Sequence, residues 1–241
     1  LTATPVEMIS RSTTELFGCE RHIPTANYPI EQAVADGYLV PYQLVAHTTK
    51  FMREGIHADK LMAEQLKQLE DQGYDIADIE FDSKVMDTQV FNKDTNRQVL
   101  RNLVDYGIKL ADGETLGKSI IFARNIRHAE LLHELFCEMY PEKGGNFCRV
   151  IHSNYDYADT LISAFKKTDN SSDQITVAIS VDMLDTGIDV PSVVNLVFAK
   201  PVKSKVKFWQ MIGRGTRLCP NLFGEGEDKS RFLIFDHWDN F

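Results

Sequence analysis

From residue 118 onward, the sequence alternates short apolar runs with longer amphipathic segments. The apolar runs have the length of buried strands, and they cover 118–123, 147–152, 175–179, 193–199 and 232–236. The segments between them carry apolar residues at helical spacing, over 126–139, 156–167 and 204–212. This alternation predicts an α/β fold, in which a mostly parallel sheet is covered by helices on both faces.

The first part of the chain is less regular. The segment 30–37 has the pattern of a short helix that ends at Gly37, and 43–48 has the pattern of a strand. A second helix is predicted over 59–72, and a third is expected to begin with Thr95 as its N-cap.

The composition excludes several classes of protein. The chain has 241 residues, 43% of them apolar and 25% charged, which is typical of a globular protein and not of a disordered, collagen-like or coiled-coil chain. Its apolar runs are too short to span a membrane, and no signal peptide opens it. The four cysteines are scattered, which indicates reduced thiols in a cytoplasmic protein; they are Cys19, Cys137, Cys148 and Cys219.

The charge is distributed unevenly. The formal net charge of −9 argues at first against a nucleic-acid partner. The segment 200–218, however, contains six basic residues and no acidic one. Because local charge matters more than the sum for binding, a polyanionic ligand stays compatible with this sequence.

Polar residues follow several of the predicted strands. Arg124 and Asn125 follow the strand that starts at 118, and His152 and Ser153 end the next one. In a parallel sheet these positions share one edge, where ligands bind. The alternative is that Asn125, Ser153 or Asn154 only caps a helix.

Two longer segments suggest phosphate chemistry. In 181–191, Gly187 allows a close approach, and Asp189 is suited to accept hydrogen bonds from sugar hydroxyls or to hold an arginine; the alternative is an ordinary turn rich in Asp and Gly. In 210–217, Arg214 and Arg217 lie three residues apart beside glycines, and arginine forks bind phosphate oxygens. The alternative there is a solvated basic turn.

Three further patterns carry no site. Gly117-Lys118-Ser119 lacks the earlier glycine of a P-loop, since position 112 is Asp, and it opens a strand instead of a helix. The triplet 82–84 fits part of a nuclease signature by chance. His128 and His133 lie five apart, which does not suit zinc binding from one helix, and both are expected at the surface. No metal site is predicted.

Taken together, these segments resemble the motifs of superfamily 2 helicases. LTATP at 1–5 resembles motif III, 119–125 motif IV, 181–189 motif V, and 210–217 motif VI with its Q-x-x-G-R-x-x-R pattern. Longer phrases are similar to the motor of type I restriction enzyme R subunits; they are EQAVADGYLVPY, SVDMLDTGIDVPSVVNLVF, QMIGRGTRLCPNLFG and FLIFDHWDNF.

The resemblance implies a RecA-like three-layer domain. Residues 1–42 would end a first RecA-like domain and link it to a second at 43–241, with an insertion at about 52–92. The chain contains no P-loop and no DExH box, which in the family lie in the first domain, so we expect a fragment that is inactive on its own. Val181 stands where many helicases have a threonine that contacts nucleic acid.

The resemblance also implies roles for particular residues. ATP and Mg²⁺ would be bound mainly by the first domain. This chain would supply two catalytic arginines, Arg217 as the arginine finger and Arg214. It would also supply the ATP-binding residues Gly187, Asp189, Gln210 and Gly213. Thr2 and Thr4 would couple ATP to DNA, and Arg124, Asn125, His152 and Ser153 would line the DNA track. The partners would be double-stranded DNA and the specificity and methylation subunits. A DNA-repair or RNA helicase, or a non-catalytic module with a degenerate helicase fold, stays open as an alternative.

Overall fold

The computed structural model describes residues 28–46, 93–168, 171–181, 183–184, 188–202, 204–238 and 240–241, together with four two-residue strands. These strands form antiparallel pairs, β1 (Glu7–Met8) with β2 (Arg11–Ser12) and β4 (Ile56–His57) with β5 (Glu80–Phe81). The predicted helix at 59–72, both threonines of the 1–5 segment (Thr2 and Thr4), and most of the expected insertion at 52–92 lie outside the described residues. The domain boundary at 42/43 therefore stays a prediction.

A six-stranded sheet forms the centre of the domain, and each neighbouring pair in it is parallel. The order is β3-β10-β9-β6-β8-β7, so β3 and β7 are the edge strands. The six strands are β3 (Tyr42–Ala46), β6 (Lys118–Phe122), β7 (Cys148–Ile151), β8 (Val177–Ser180), β9 (Val193–Phe198) and β10 (Phe232–Asp236).

Successive strand residues point to opposite sides of the sheet, and on the four inner strands, β10, β9, β6 and β8, both sets are buried. Ile121 packs in one apolar cluster with α2 (Lys93–Tyr106) and α3 (Ile126–Met139). Ile120 packs in a second cluster with α4 (Ala158–Lys166) and α5 (Lys205–Ile212). The predicted α/β architecture with helices on both faces is therefore confirmed.

The predicted elements agree closely with those observed where the structure describes the chain. A short helix, α1 (Ile30–Ala35), is followed by Gly37, whose φ of +78° suits glycine in the left-handed region. The prediction for Thr95 is wrong, because α2 already includes Lys93 and Thr95 lies inside the helix. No helix in the described ranges is long and apolar enough to cross a membrane.

One fully buried polar side chain joins the sheet to a neighbouring loop. Asn195 lies in β9, and its Oδ1 accepts from the backbone N of Ile108 at 2.8 Å. Its Nδ2 donates to the carbonyl oxygens of Ile108 and Gly117, at 3.2 and 3.4 Å, and to Oγ of Ser119 at 3.1 Å. These bonds satisfy polar groups that would otherwise be buried without a partner. They fix the loop that leads into β6.

The parallel register brings the ends of the strands to one level. Phe122 of β6 pairs with Phe198 of β9 and with Ser180 of β8, and Ser180 also pairs with Ile151 of β7. The residues that follow these strands therefore share one edge of the sheet, which we call the carboxyl edge.

The role of Asn195 can be tested by truncation. We expect Asn195→Ala to lower the free energy of unfolding by about 2–3 kcal/mol, because the Ile108 amide loses its acceptor in a partly buried place. Urea unfolding measures the difference. Asn146→Ala is the matched control, since Asn146 is exposed and bonds only at the surface to the carbonyl oxygen of Ser172. Equal losses in the two variants would contradict the assignment.

Candidate functional site

The segment after α5 makes a tight turn that carries two arginines. Ser204 caps the start of α5 by accepting from the backbone N of Lys207, and Gly213 ends the helix. A Cβ on Gly215 would lie 2.3 Å from Cδ2 of Phe232 in β10, so only glycine fits at this point. The turn is thus pressed against the start of β10, and this contact fixes the position of the segment that carries Arg214 and Arg217.

Arg214 joins this turn to the 181–191 loop. Its Nε donates to the carbonyl oxygen of Gln210 at 3.2 Å, and its terminal nitrogen donates to the carbonyl oxygen of Ile188. A guanidinium presents several donors in a fixed plane, so it can link two segments of backbone at once. The two predicted motifs therefore meet in space through Arg214.

Arg217 lies beside Asp189 on the surface at the opposite edge of the sheet, near the starts of β9 and β10. Nε of Arg217 is 3.1 Å from Oδ1 of Asp189, and the side chains are 57% and 59% exposed. Of the two roles expected for Asp189, the holding of an arginine is the one observed. An exposed ion pair contributes little stability, so either side chain can exchange its partner at small cost. Gly187 lies outside the described residues, whereas Gln210 lies in the last turn of α5 and Gly213 ends that helix.

Arg124 follows β6 and packs against an aromatic ring from another strand end. Its Cζ lies 4.8 Å from the ring centroid of Trp238, which follows β10. Burial lowers the pKa of Arg124 to about 10, so the guanidinium keeps its charge at neutral pH although it is partly removed from water. A partly desolvated cation at this edge suits an anionic ligand.

Asn125 caps α3, as the alternative interpretation of the sequence proposed. Its Oδ1 accepts from the backbone N of His128 at 2.8 Å. Contact of Asn125 with nucleic acid stays a prediction, and it would have to use the amide nitrogen, because the oxygen already serves the cap.

His128 is buried, so its expected surface position is wrong. It is only 4% exposed. Its Nδ1 accepts from the backbone N of Arg124 at 3.3 Å, which places the proton on Nε2, 2.9 Å from Oδ1 of Asn96 in α2. Burial, with the nearby charge of Arg124, lowers the pKa of His128 to about 3. A neutral histidine thus ties the strand end that carries Arg124 to two helices.

His152 and Ser153 follow β7 on the same edge. His152 is 5% exposed, its Nδ1 accepts from the backbone N of Asn154 at 3.1 Å, and its ring lies 3.8 Å from that of Tyr155. Ser153 is exposed. Because one strand separates β6 from β7, the two predicted DNA-contacting pairs are about 10 Å apart at the backbone. Among the described residues, no group of three or more His, Cys, Asp or Glu is placed to hold a metal ion.

A parallel sheet with helices on both faces, loops gathered at one edge and an arginine-bearing turn after the last helix defines a helicase-type RecA-like domain. The sequence profile of the helicase conserved C-terminal domain matches residues 96–219, and the chain belongs to that family. The RecA-like fold expected from the motifs is thereby confirmed.

The relatives specify a branch of the family. The chain is 30% identical to the endonuclease subunit of the type I restriction enzyme EcoKI of Escherichia coli K12, over 98% of this chain and 19% of the relative. Among solved structures, an HsdR fragment of a type I restriction enzyme from Vibrio vulnificus YJ016 has a TM-score of 0.65 at 22% identity, over 98% of this chain and 38% of the other. LlaBIII, an ATP-dependent Type ISP restriction-modification enzyme bound to DNA, has a TM-score of 0.53 at 19% identity, over 87% and 13%.

The chain is therefore a helicase C-terminal domain related to the R subunits of type I restriction enzymes. It spans about a fifth of the length of the E. coli subunit.

The buried histidine predicts a specific response to acid. The unfolded chain takes up a proton on His128 near pH 6.5, whereas the folded domain resists it down to about pH 3. Stability is therefore expected to fall as the pH drops through this window, with a contribution from His128 of about 1.4 kcal/mol per pH unit. In His128→Gln, urea unfolding between pH 7 and 4 should show a shallower decline than in the wild type. Parallel pH curves would contradict the prediction.

The packing of Gly215 predicts a second effect. Gly215→Ala is expected to lower the free energy of unfolding by about 1–3 kcal/mol, because its Cβ collides with the Phe232 ring. Thermal or urea unfolding measures it. Gly145→Ala is the control, since no atom lies within 4 Å of its added Cβ. Unchanged stability of the Gly215 variant would show that the turn does not rest on β10 in solution.

Proposed function

We propose that this chain is the second motor domain of an ATP-dependent DNA translocase, within the R subunit of a type I restriction enzyme. The observation that carries the proposal is the exposed Arg217, held 3.1 Å from Asp189 where the 181–191 loop meets the turn after α5. The relation to a restriction endonuclease subunit supports the enzyme context. The fold is shared with an ATP-dependent enzyme bound to DNA, and so it is compatible with both ligands.

ATP would lie between this domain and a first RecA-like domain that carries the P-loop, the DExH box and most of the Mg²⁺ contacts. Arg217 would then leave Asp189 and bind the transferring phosphoryl group, whose negative charge it stabilises in the transition state. This exchange costs little because the ion pair is exposed. Gly187, Asp189, Gln210 and Gly213 would border the nucleotide. The chain alone would not hydrolyse ATP, because it contains no P-loop.

Arg214 would transmit the state of the nucleotide instead of acting only on the phosphates. Its bonds to the carbonyl oxygens of Gln210 and Ile188 make the turn after α5 and the 181–191 loop move together. A shift of Arg217 towards ATP would therefore also displace the loop beside it. Thr2 and Thr4 would couple this movement to the first domain, and cycles of closure and opening would move the protein along duplex DNA.

The DNA track would run along the carboxyl edge past β6 and β7. Arg124 offers a guanidinium and Ser153 an exposed hydroxyl for phosphate oxygens. Asn125 would contribute its amide nitrogen, and His152 its Nε2, which is buried and makes no hydrogen bond within the described part of the chain. Such contacts bind the backbone without reading sequence, so specificity would come from a separate subunit. The specificity and methylation subunits would be partners in the cytoplasm.

The arginine-finger role is tested in the complete subunit. Arg217→Ala is expected to lower the kcat of DNA-dependent ATP hydrolysis by about 10³-fold, because an arginine finger stabilises the transition state. Arg217→Lys should recover little, since an ammonium lacks the guanidinium fork. Steady-state ATPase assays measure both.

The matched control is Arg97→Ala. Arg97 lies on α2, where it pairs with Asp94 and Glu138, and it should be dispensable for hydrolysis. Wild-type turnover in Arg217→Ala would refute the finger assignment.

A further inference from the structure

The contact between Arg124 and Trp238 joins two strand ends that are not neighbours in the sheet. Arg124 follows β6, Trp238 follows β10, and β9 lies between them. The contact therefore passes over the end of β9, at the edge where the proposed DNA track runs. The indole is the part of this contact whose purpose the proposed function leaves unexplained.

A hydrogen-bonded clamp fixes the segment that carries Trp238. Asp236, which is 3% exposed, accepts from the backbone N of Trp238 at 3.1 Å and from the backbone N and Nδ2 of Asn240 at 2.6 and 2.7 Å. The Asn240 side chain also bonds to the carbonyl oxygen of Lys200 at 3.3 Å and to the backbone N of Val202 at 2.7 Å. The segment after β10 is thus hydrogen-bonded to the segment after β9. These bonds hold the backbone from which the Trp238 indole extends.

Arg124 is held at its other end as well. Its backbone N donates to Nδ1 of His128, whose ring in turn bonds to Asn96 of α2. The main chain of Arg124 is thus fixed by α2 and α3, and its guanidinium rests on Trp238. An arginine on an aromatic face can still use its in-plane N–H groups for an anion.

We propose that Trp238 is a positioning residue that orients the Arg124 guanidinium for a phosphate of the DNA backbone. The inference rests on the proposed function, in which Arg124 contacts DNA. Its physical basis is preorganisation: a long side chain that is already immobilised loses less conformational entropy when it binds. Partial removal from water also strengthens its attraction to a phosphate. Trp238 acts through Arg124 and need not touch the DNA.

The experiment uses the complete subunit and a duplex without specific sites. Trp238→Leu keeps an apolar side chain but removes the aromatic face, and Trp238→Phe retains a ring. We expect Trp238→Leu to raise the duplex concentration that half-saturates the ATPase by about five- to tenfold. The kcat at saturating DNA should stay unchanged, and Trp238→Phe should be close to the wild type. A general loss of structure would lower kcat and would not be rescued by Phe.

Two further variants separate this proposal from the proposed function. Arg124→Ala should weaken DNA binding and lower the slope of log K against log salt by about one phosphate contact. In the double variant, Trp238→Leu should add nothing to Arg124→Ala, because both remove one contact. Phe241→Ala is the control: its ring is in the same segment but packs on Phe208 at 4.9 Å, and DNA binding should be unaffected.

The outcomes are distinct. If Arg124→Ala leaves DNA binding unchanged, the DNA role of Arg124 and the positioning role of Trp238 are both wrong. If Arg124→Ala weakens binding and Trp238→Leu does not, only the positioning role is overturned. Additive losses in the double variant, or equal losses in the Phe and Leu variants, would also overturn it.

Discussion

Parallel pairing of six strands, whose four inner members are buried on both faces, is the constraint on which the rest of this structure depends. Because every strand runs in the same direction and the register keeps Phe122, Ser180 and Phe198 level, all following loops emerge at one edge. Helices occupy both faces and leave that edge as the place where polar loops can converge. Arg124, His152 and Trp238 come from distant parts of the sequence and share this edge for that reason.

Buried polar side chains then fix the loops that the sheet only brings near. Asn195 holds the loop before β6, His128 holds the strand end after it, and the Asp236–Asn240 pair ties together the segments after β9 and β10. Each of these side chains is hydrogen-bonded to backbone or amide partners, and these bonds offset the free-energy cost of burying it. Loops fixed in this way can hold a ligand in a defined geometry.

The net charge of the chain does not describe the charge at its predicted sites. A net charge of −9 describes a protein that repels polyanions on average. The domain nevertheless presents Arg124 at the carboxyl edge, and Arg214 and Arg217 in the turn near the start of β10. Their surroundings differ: Arg217 faces an exposed carboxylate, Arg214 backbone carbonyls, and Arg124 an aromatic ring. Only the first of these is arranged to exchange its partner readily.

The sequence by itself determined the alternating elements, because the spacing of apolar residues shows which side of each element is buried. The strand at 232–236 and the helix at 126–139 have the predicted bounds. Its motifs also singled out Arg217 and Asp189, whose side chains pair in the structure and whose roles at an ATP site stay a prediction. The tertiary structure alone decided the rest. It buried His128, set Arg214 between two loops and placed Trp238 under Arg124, and no local pattern predicts these contacts because each joins residues far apart in the chain. Local propensity reflects neighbours in sequence, whereas pairing across a sheet depends on strand order.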